Sequence, residues 1–252
     1  WSVEYIIPSH HKRLKMADMK ISIIIPTYNE AENIGRVLEY LRSNSSEENI
    51  REIIVSDGIS DDNTLGIARS MGARIVDYEN TGRAKQMNAG ARMASGDLFY
   101  FLHADTYPPE GFDADILSSV KNGYGAGCFR MKWDMDHPVL NFFAFFTRFN
   151  CQWCRGGDQS MFINRELFEK VRGFNENYRF LEDYEIIPRI KKHAKFRVIQ
   201  RDIVTSARKY RKNGVLRLQL HVAKTYIMRM LGMDVEKVAR AYYKGIQEKY
   251  NE

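Results

Sequence analysis

The run Leu98-Phe-Tyr-Phe-Leu102 ends in His103-Ala104-Asp105. A carboxylate at a strand end suits a hard divalent cation, because Mg²⁺ and Mn²⁺ take oxygen ligands shared with substrate phosphates. A turn or capping role for Asp105 ahead of Pro108-Pro109 is the plainer alternative. A second acidic group, Leu181-Glu182-Asp183-Tyr184-Glu185, follows Phe174, Tyr178 and Phe180. Partial desolvation there would raise a carboxylate's pKa and fit it for general-base work, with a solvated helix start as the alternative. Arg83 and Lys85 follow Gly82, and Arg208, Lys209, Arg211 and Lys212 precede Asn213-Gly214. Such cations can neutralise phosphate oxygens, although a charge run is commonly a solvated face. His103 stands open between a metal neighbour, a ribose contact and a packed histidine.

These groups need elements to hold them. Ile21-Ser-Ile-Ile-Ile25 is a β-branched run stopped by Pro26, which reads as a buried parallel strand. Asn29, with Glu32 three residues on, predicts an N-cap and capping box for a helix carrying Ile34, Val37, Leu38 and Leu41. Strand Glu52–Ser56 leads through an acidic turn, 57–64, to a helix ending at Gly72. Arg74–Asp77 and Leu98–Leu102 are further strands, separated by a helix from about Ala84 to Ala94. This alternation predicts an α/β fold with a mainly parallel central sheet flanked by helices. Beyond Pro109 come a helix near 116–120, a Gly-rich strand at 125–130 and an aromatic segment, 139–149. The segment Gly156-Gly157-Asp158-Gln159-Ser160 follows. The tail, 215–250, reads as two helices split at Gly232 with Asp234 as a cap.

Ligands of open parallel sheets bind beyond the carboxyl ends of the strands. Pro26, Thr27, Tyr28, Asn29 and Glu30 follow the first strand, Asp57 the second, Arg83 and Lys85 the third, and His103, Ala104 and Asp105 the fourth. One aromatic, several carboxylates and two cations on one edge match the needs of a nucleotide. Asp57 alone is read equally well as a cap for the next helix.

The chain has 252 residues, enough for one large domain, and a net charge of +6. That excess suits nucleic acid, an anionic membrane or a phosphate-bearing small molecule. Three cysteines argue against a disulfide framework and for a reducing, cytoplasmic compartment. Cys151 and Cys154 have redox or half-zinc-site spacing, but no second such pair exists, and two ordinary thiols are expected. Trp1 is read as other than the natural start, and the polar lead with His10-His11-Lys12-Arg13 is no secretory signal. Phe142, Phe143, Phe145 and Phe146 are expected in a buried helix, with a lipid-contacting patch as the alternative. Core packing is expected for the stripe Leu216, Leu220, Ala223, Ile227 and Leu231, with membrane or dimer contact as the alternative.

In order, Pro26-Thr27-Tyr28-Asn29-Glu30, Asp57-Gly58-x-Ser60-x-Asp62-x-Thr64, Gly82-Arg83-x-x-Gln86-x-Asn88-x-Gly90 and Asp105 resemble the nucleotide-sugar half of family 2 glycosyltransferases. Gly157-Asp158-Gln159 and Glu182-Asp183 extend the resemblance into the acceptor half. Gly157-Asp158-Gln159 and Thr205-Ser206-Ala207-Arg208 look most like a small, soluble bacterial and archaeal branch. The resemblance implies the nucleotide-diphospho-sugar transferase fold and sugar transfer with inversion. It implies base contacts from Tyr28 and Asp57, and a nucleoside lined by Thr27, Glu30, Arg83 and Asn88, with Pro26, Lys85, His103 and Ala104 completing the expected nucleotide-sugar site. Gly157, Asp158, Gln159 and Glu182 would face the acceptor. Asp105 would hold Mg²⁺ or Mn²⁺, Asp183 would be the general base, and Arg208 and Lys212 would neutralise the leaving diphosphate. His103 departs from the pattern, standing where the family's motif has its first carboxylate.

The implied organisation is an N-terminal extension over 1–19, a catalytic domain over 20–214 and a helical segment over 215–252. The catalytic domain divides into a nucleotide-sugar half, 20–107, and an acceptor half, 108–214. The partners implied are a UDP- or GDP-linked sugar and an acceptor either lipid-linked or small and soluble, with peripheral membrane contact at the inner face and no nucleic acid. A nucleotidyltransferase would want a Gly-rich loop after the first strand, and a dinucleotide oxidoreductase would want GxGxxG there; Pro26–Glu30 contains no glycine. A non-catalytic nucleotide-sugar or lipid-phosphate binding module is the remaining alternative.

Overall fold

The computed structural model describes residues 18–77, 82–178 and 181–246. The polar lead with His10–Arg13, Phe180 and the end of the tail at Tyr250 lie outside the described residues.

Strand β1 (Ile21–Thr27) is buried along its whole length. It lies between β2 (Ile50–Asp57) and β4 (Leu98–Phe101), parallel to both, and β3 (Arg74–Asp77) extends the parallel set beyond β2. Runs rich in Ile, Val and Phe, covered on both faces, favour this arrangement. Helices α1 (Ala31–Ser43), α2 (Thr64–Ser70) and α3 (Arg83–Met93) are the crossovers. Helix α1 buries Ile34, Val37, Leu38 and Leu41, the apolar positions of its 3.6-residue period. Helix α3 approaches β1 closely: a Cβ on Gly90 would lie 2.5 Å from Ile24 Cγ2. Gln86 uses that proximity to donate from Nε2 to the carbonyls of Thr27 (2.5 Å) and Ser56 (3.2 Å), tying the helix to the strand ends.

The second half continues the same sheet. After the short β5 (Thr106–Tyr107) and α4 (Phe112–Lys121) come β6 (Tyr124–Trp133), α5 (Pro138–Phe146), β7 (Met161–Asn164), α6 (Arg165–Lys170), α7 (Glu182–Lys191) and β8 (Lys195–Thr205). Strand β7 runs antiparallel between β4 and β6, and β8 is parallel to β6. Among the described residues the strand order in the sheet is β3-β2-β1-β4-β7-β6-β8-β5. Two apolar cores fill the two faces of the sheet. A third, smaller cluster holds α8 (Arg208–Asn213), α9 (Val215–Met230) and α10 (Val235–Gly245) beside it, through Trp133, Leu140, Tyr210, Leu218, Tyr242 and Ile246. Asp234 caps α10 as expected, accepting from Glu236 N at 3.0 Å.

Four expectations are corrected. Asn29 does not cap α1; it has φ 52°, and the cap position is Glu30, whose side chain makes no capping bond. The free backbone donors go to the next loop instead: Glu30 N to Thr64 Oγ1 (2.8 Å) and Ala31 N to Asp62 Oδ2 (3.0 Å). The phenylalanines of α5 are not buried; only Leu140 of that helix is. The stripe on α9 is not core either, because Leu218 and Thr225 on the opposite side fill the interface. Cys151 and Cys154 form a disulfide around one short helical turn, Cα to Cα 5.5 Å, so they are not free thiols; Cys128 is free and buried.

Candidate active site

The carboxyl ends of β1 and β4, the start of α3 and the segment 156–158 surround a cavity of about 600 Å³. The N-terminus of α7 closes one side. Helices α9 and α10 roof it with Leu218, Val222, Tyr226, Tyr242 and Tyr243.

Asp105 leaves β4 on the cavity floor. Arg208 bridges it to the opposite wall, with Nε 3.2 Å from Asp105 Oδ2 and Nη1 2.9 Å from Glu30 Oε2. Burial raises the pKa of Asp105, and the charges of Arg208 and His103 offset only part of that rise. His103 Nδ1 lies 3.4 Å from Asp158 Oδ1. Burial disfavours protonated His103, but the hydrogen bond and charge of Asp158 outweigh it and raise its pKa. The same pairing, helped by Arg83, overcomes burial and holds Asp158 below the usual carboxylate range.

Leu181 adopts the left-handed conformation (φ 64°) immediately before α7, and this turn brings Glu182 and Asp183 to the cavity. Glu182 is 2% exposed and pairs with Arg83, Nε to Oε1 3.3 Å. Asp183 is 8% exposed. Burial first, and the neighbouring Glu182 charge second, push its carboxyl up to about 7, against the pull of His103 and Arg83. Gly157 makes room for it: a Cβ there would lie 2.5 Å from Asp183 Oδ2 and 3.1 Å from His103 Cε1.

Of the residues singled out in the sequence, Pro26, Thr27, Tyr28, Glu30, Arg83, His103, Ala104 and Asp105 line this cavity. So do Gly157, Asp158, Glu182, Asp183 and Arg208. Five others do not, each for a local reason. Asp57 is fully buried, accepting from Thr27 Oγ1 (2.7 Å) and from Ser60 N (2.8 Å) and Oγ (2.7 Å), so it positions Thr27 and does not face the cavity. Asn88 pins the turn at Phe174, with Nδ2 on its carbonyl (2.9 Å) and Oδ1 on its N–H (3.0 Å). Gln159 accepts from Gly156 N at 3.3 Å and holds the loop from within. Lys85 and Lys212 lie on parts of α3 and α8 outside the cavity lining.

The sequence reading missed the roof tyrosines and Arg155. Tyr226 donates from Oη to Arg155 O at 3.0 Å, and burial raises its pKa. Arg155 is 2% exposed and spends its guanidinium on Cys128 Sγ (2.8 Å) and the carbonyls of Thr147, Phe149 and Cys151. Three tyrosines on the inner sides of two C-terminal helices were the available signal for the roof.

Among the described residues no three His, Cys, Asp or Glu side chains converge on a cation cage. A single strand-end carboxylate, Asp105, faces an open volume beside Arg208. This donor set fits a hard cation that shares its coordination with phosphate oxygens, and does not fit an all-protein site.

The sequence model of Glycosyl transferase family 2 matches residues 22–170. A dolichol-phosphate mannosyltransferase of Pyrococcus furiosus is 32% identical over 110 residues, 42% of this chain and 31% of that protein. A PGL/p-HBAD biosynthesis glycosyltransferase of Mycobacterium tuberculosis is 29% identical over 193 residues, 68% of this chain and 69% of that one. The first of these matches thus spans about a third of its relative's length. The mannosyltransferase of Pyrobaculum calidifontis, solved with GDP-Man and Mn²⁺, superposes with a TM-score of 0.65 at 17% identity, over 93% of this chain and 66% of that one. That likeness carries the fold. The family match covers β1 through α6, more than half of the chain, including the ends of β1 and β4, the start of α3 and the segment 156–158 around the cavity, and on this ground the protein belongs to glycosyl transferase family 2.

Proposed function

We propose that the protein transfers a sugar from a UDP- or GDP-linked donor to an acceptor hydroxyl, with inversion at the anomeric carbon. The observation that carries this reading is Asp183, a buried carboxylate whose pKa stands at about 7, sharing one cavity with Asp105 and Arg208. An acceptor hydroxyl is a poor nucleophile, and a base poised near neutrality takes its proton as the new bond forms. The Asp183 carboxylate holds that proton on Oδ1 or Oδ2 while the donor's glycosyl–phosphate bond breaks on the opposite face of the sugar. Glu182, fixed by Arg83, keeps a negative charge beside Asp183 and so keeps it basic. Tyr28, Thr27 and Glu30 bind the nucleoside, and Gly157 and Asp158 border the acceptor. Arg208 exchanges its carboxylate partners for the departing diphosphate. Mg²⁺ or Mn²⁺, held by Asp105, would supply further positive charge to that leaving group when bound.

The test is release of UDP or GDP from nucleotide sugars by purified protein in the presence of Mn²⁺. Asp105→Ala is expected to abolish transfer and to weaken metal-dependent nucleotide binding. Failure of the unaltered protein to bind any nucleoside diphosphate overturns the reading.

A further inference from the structure

The outer faces of α5 and α9 are apolar and cationic. On α5 and the turn after it, Phe142, Phe143, Phe145, Phe146 and Phe149 are each at least 39% exposed. They pack mainly on one another, with ring centroids 5.1 Å apart for Phe142 and Phe146 and 6.0 Å for Phe145 and Phe149. On α9 and its C-terminal cap, Leu216, Leu220, Ile227 and Leu231 form a stripe, each between 54% and 76% exposed. Helix α5 packs against α9, so the two patches adjoin. Exposed apolar surface of this extent marks a contact site.

Within the two segments that carry these patches the charges have one sign, and carboxylates flank them in sequence at Asp136 before α5 and at Asp234 and Glu236 at the start of α10. Residues 137–157 and 207–233 contain no Asp or Glu. Arg148 sits 3.8 Å over the Phe145 ring, and Arg217 and Lys224 are exposed on α9 next to the stripe. An isologous contact between two copies would set these cations against their own duplicates with no carboxylate in either segment to offset them. An anionic lipid surface offsets all three at once. Among the described residues no helix is long and apolar enough to cross a membrane, so this face would lie on a bilayer.

We infer that the α5–α9 face docks on an anionic phospholipid bilayer. The phenylalanines and the α9 stripe enter the boundary between headgroups and acyl chains, and Arg148, Arg217 and Lys224 meet lipid phosphates. The inner side of α9 roofs the cavity through Leu218, Val222 and Tyr226, so docking brings the site alongside the membrane. Resting on the transferase reading above, this assigns the acceptor to the amphiphiles, with its hydroxyl presented at the lipid surface.

The test is co-sedimentation of the whole chain with vesicles, either phosphatidylcholine alone or an equal mixture with phosphatidylglycerol. Partitioning onto the anionic vesicles is expected to be about ten-fold stronger or more, and to fall with added salt. Leu220→Glu with Ile227→Glu, and separately Phe142→Ser with Phe145→Ser, are expected to reduce it at least about ten-fold. All four side chains are exposed, and unchanged melting temperatures would verify that the variants fold. No vesicle binding, or binding indifferent to both pairs of substitutions, overturns the inference. A dimer that the same substitutions dissociate, without vesicle binding, assigns the face to a second copy and also overturns it. Sedimentation requires no sugar transfer, so its failure is distinguishable from failure of the transferase reading.

Discussion

Asp183→Asn is expected to abolish transfer while stabilising the fold at alkaline pH. Asp183 is 8% exposed, and its carboxyl rises from 3.8 to about 7, by burial first and by the Glu182 charge second. A carboxyl with a raised folded-state pKa binds its proton more tightly in the folded chain. Its contribution to stability is therefore present below pH about 4 and is lost as pH rises through about 7. A difference of three pH units corresponds to an upper bound of about 4 kcal/mol at pH 8. Glu182 shares that cost through mutual repulsion, so about 2 kcal/mol is the expected gain from a neutral isostere. For a chain of this size that raises Tm by about 4–8 °C. The assay is calorimetry of both proteins at pH 4 and pH 8, beside nucleotide release at pH 8. The gain should shrink to well under about 1 kcal/mol near pH 4, where the folded-state carboxyl is protonated and the unfolded-state one is nearly half protonated. An unchanged or lower Tm at pH 8, an equal gain at pH 4, or retained turnover would refute the argument.

Three further outcomes are expected. Glu182→Gln removes the like charge beside Asp183, so the acid limb of kcat/KM against pH should move about one to two units lower; a limb that stays near 7 argues against Asp183 as the titrating base. Gly157→Ala would place a methyl group 2.5 Å from Asp183 Oδ2, and kcat should fall about 100-fold with the melting temperature nearly unchanged. Arg155→Met strips a buried guanidinium from three loop carbonyls, and denaturant unfolding should register a loss of about 3–5 kcal/mol.

The first half of the sheet is legible in the sequence because each β-branched run and each helix is locally complete. Ile21–Ile25 reads as a buried strand, and Ile34, Val37, Leu38 and Leu41 mark the inner face of α1 without knowledge of anything distant. The helix start at Ala31 is not legible in the same way, because its caps come from Asp62 and Thr64, more than thirty residues on. Asp57 shows the same limit. Its position after β2 suggests a ligand contact, but only the folded loop reveals that Thr27 and Ser60 place three hydrogen-bond donors on its buried carboxylate. The outer faces of α5 and α9 mark a different limit. Periodicity identifies an apolar stripe but is silent on what lies against it, and here the core side of α9 is held by Leu218 and Thr225. Arg155 reads as one cation in a neutral loop until its carbonyl partners are assembled around it.

Asp62 receives Ala31 N with one carboxylate oxygen and Thr64 N with the other, so a single side chain fastens the starts of α1 and α2. Asn29 and Ser60 close the same clasp, with Asn29 N on Ser60 Oγ at 2.8 Å and Asp61 N on Asn29 Oδ1 at 3.0 Å. The loops 26–30 and 57–64 therefore move as one rigid piece. A ligand arriving against Thr27 and Tyr28 meets a wall whose ordering entropy was spent during folding. Its affinity there should show little enthalpy–entropy compensation from loop closure, and the rates of entry and exit are left to the opposite side of the cavity.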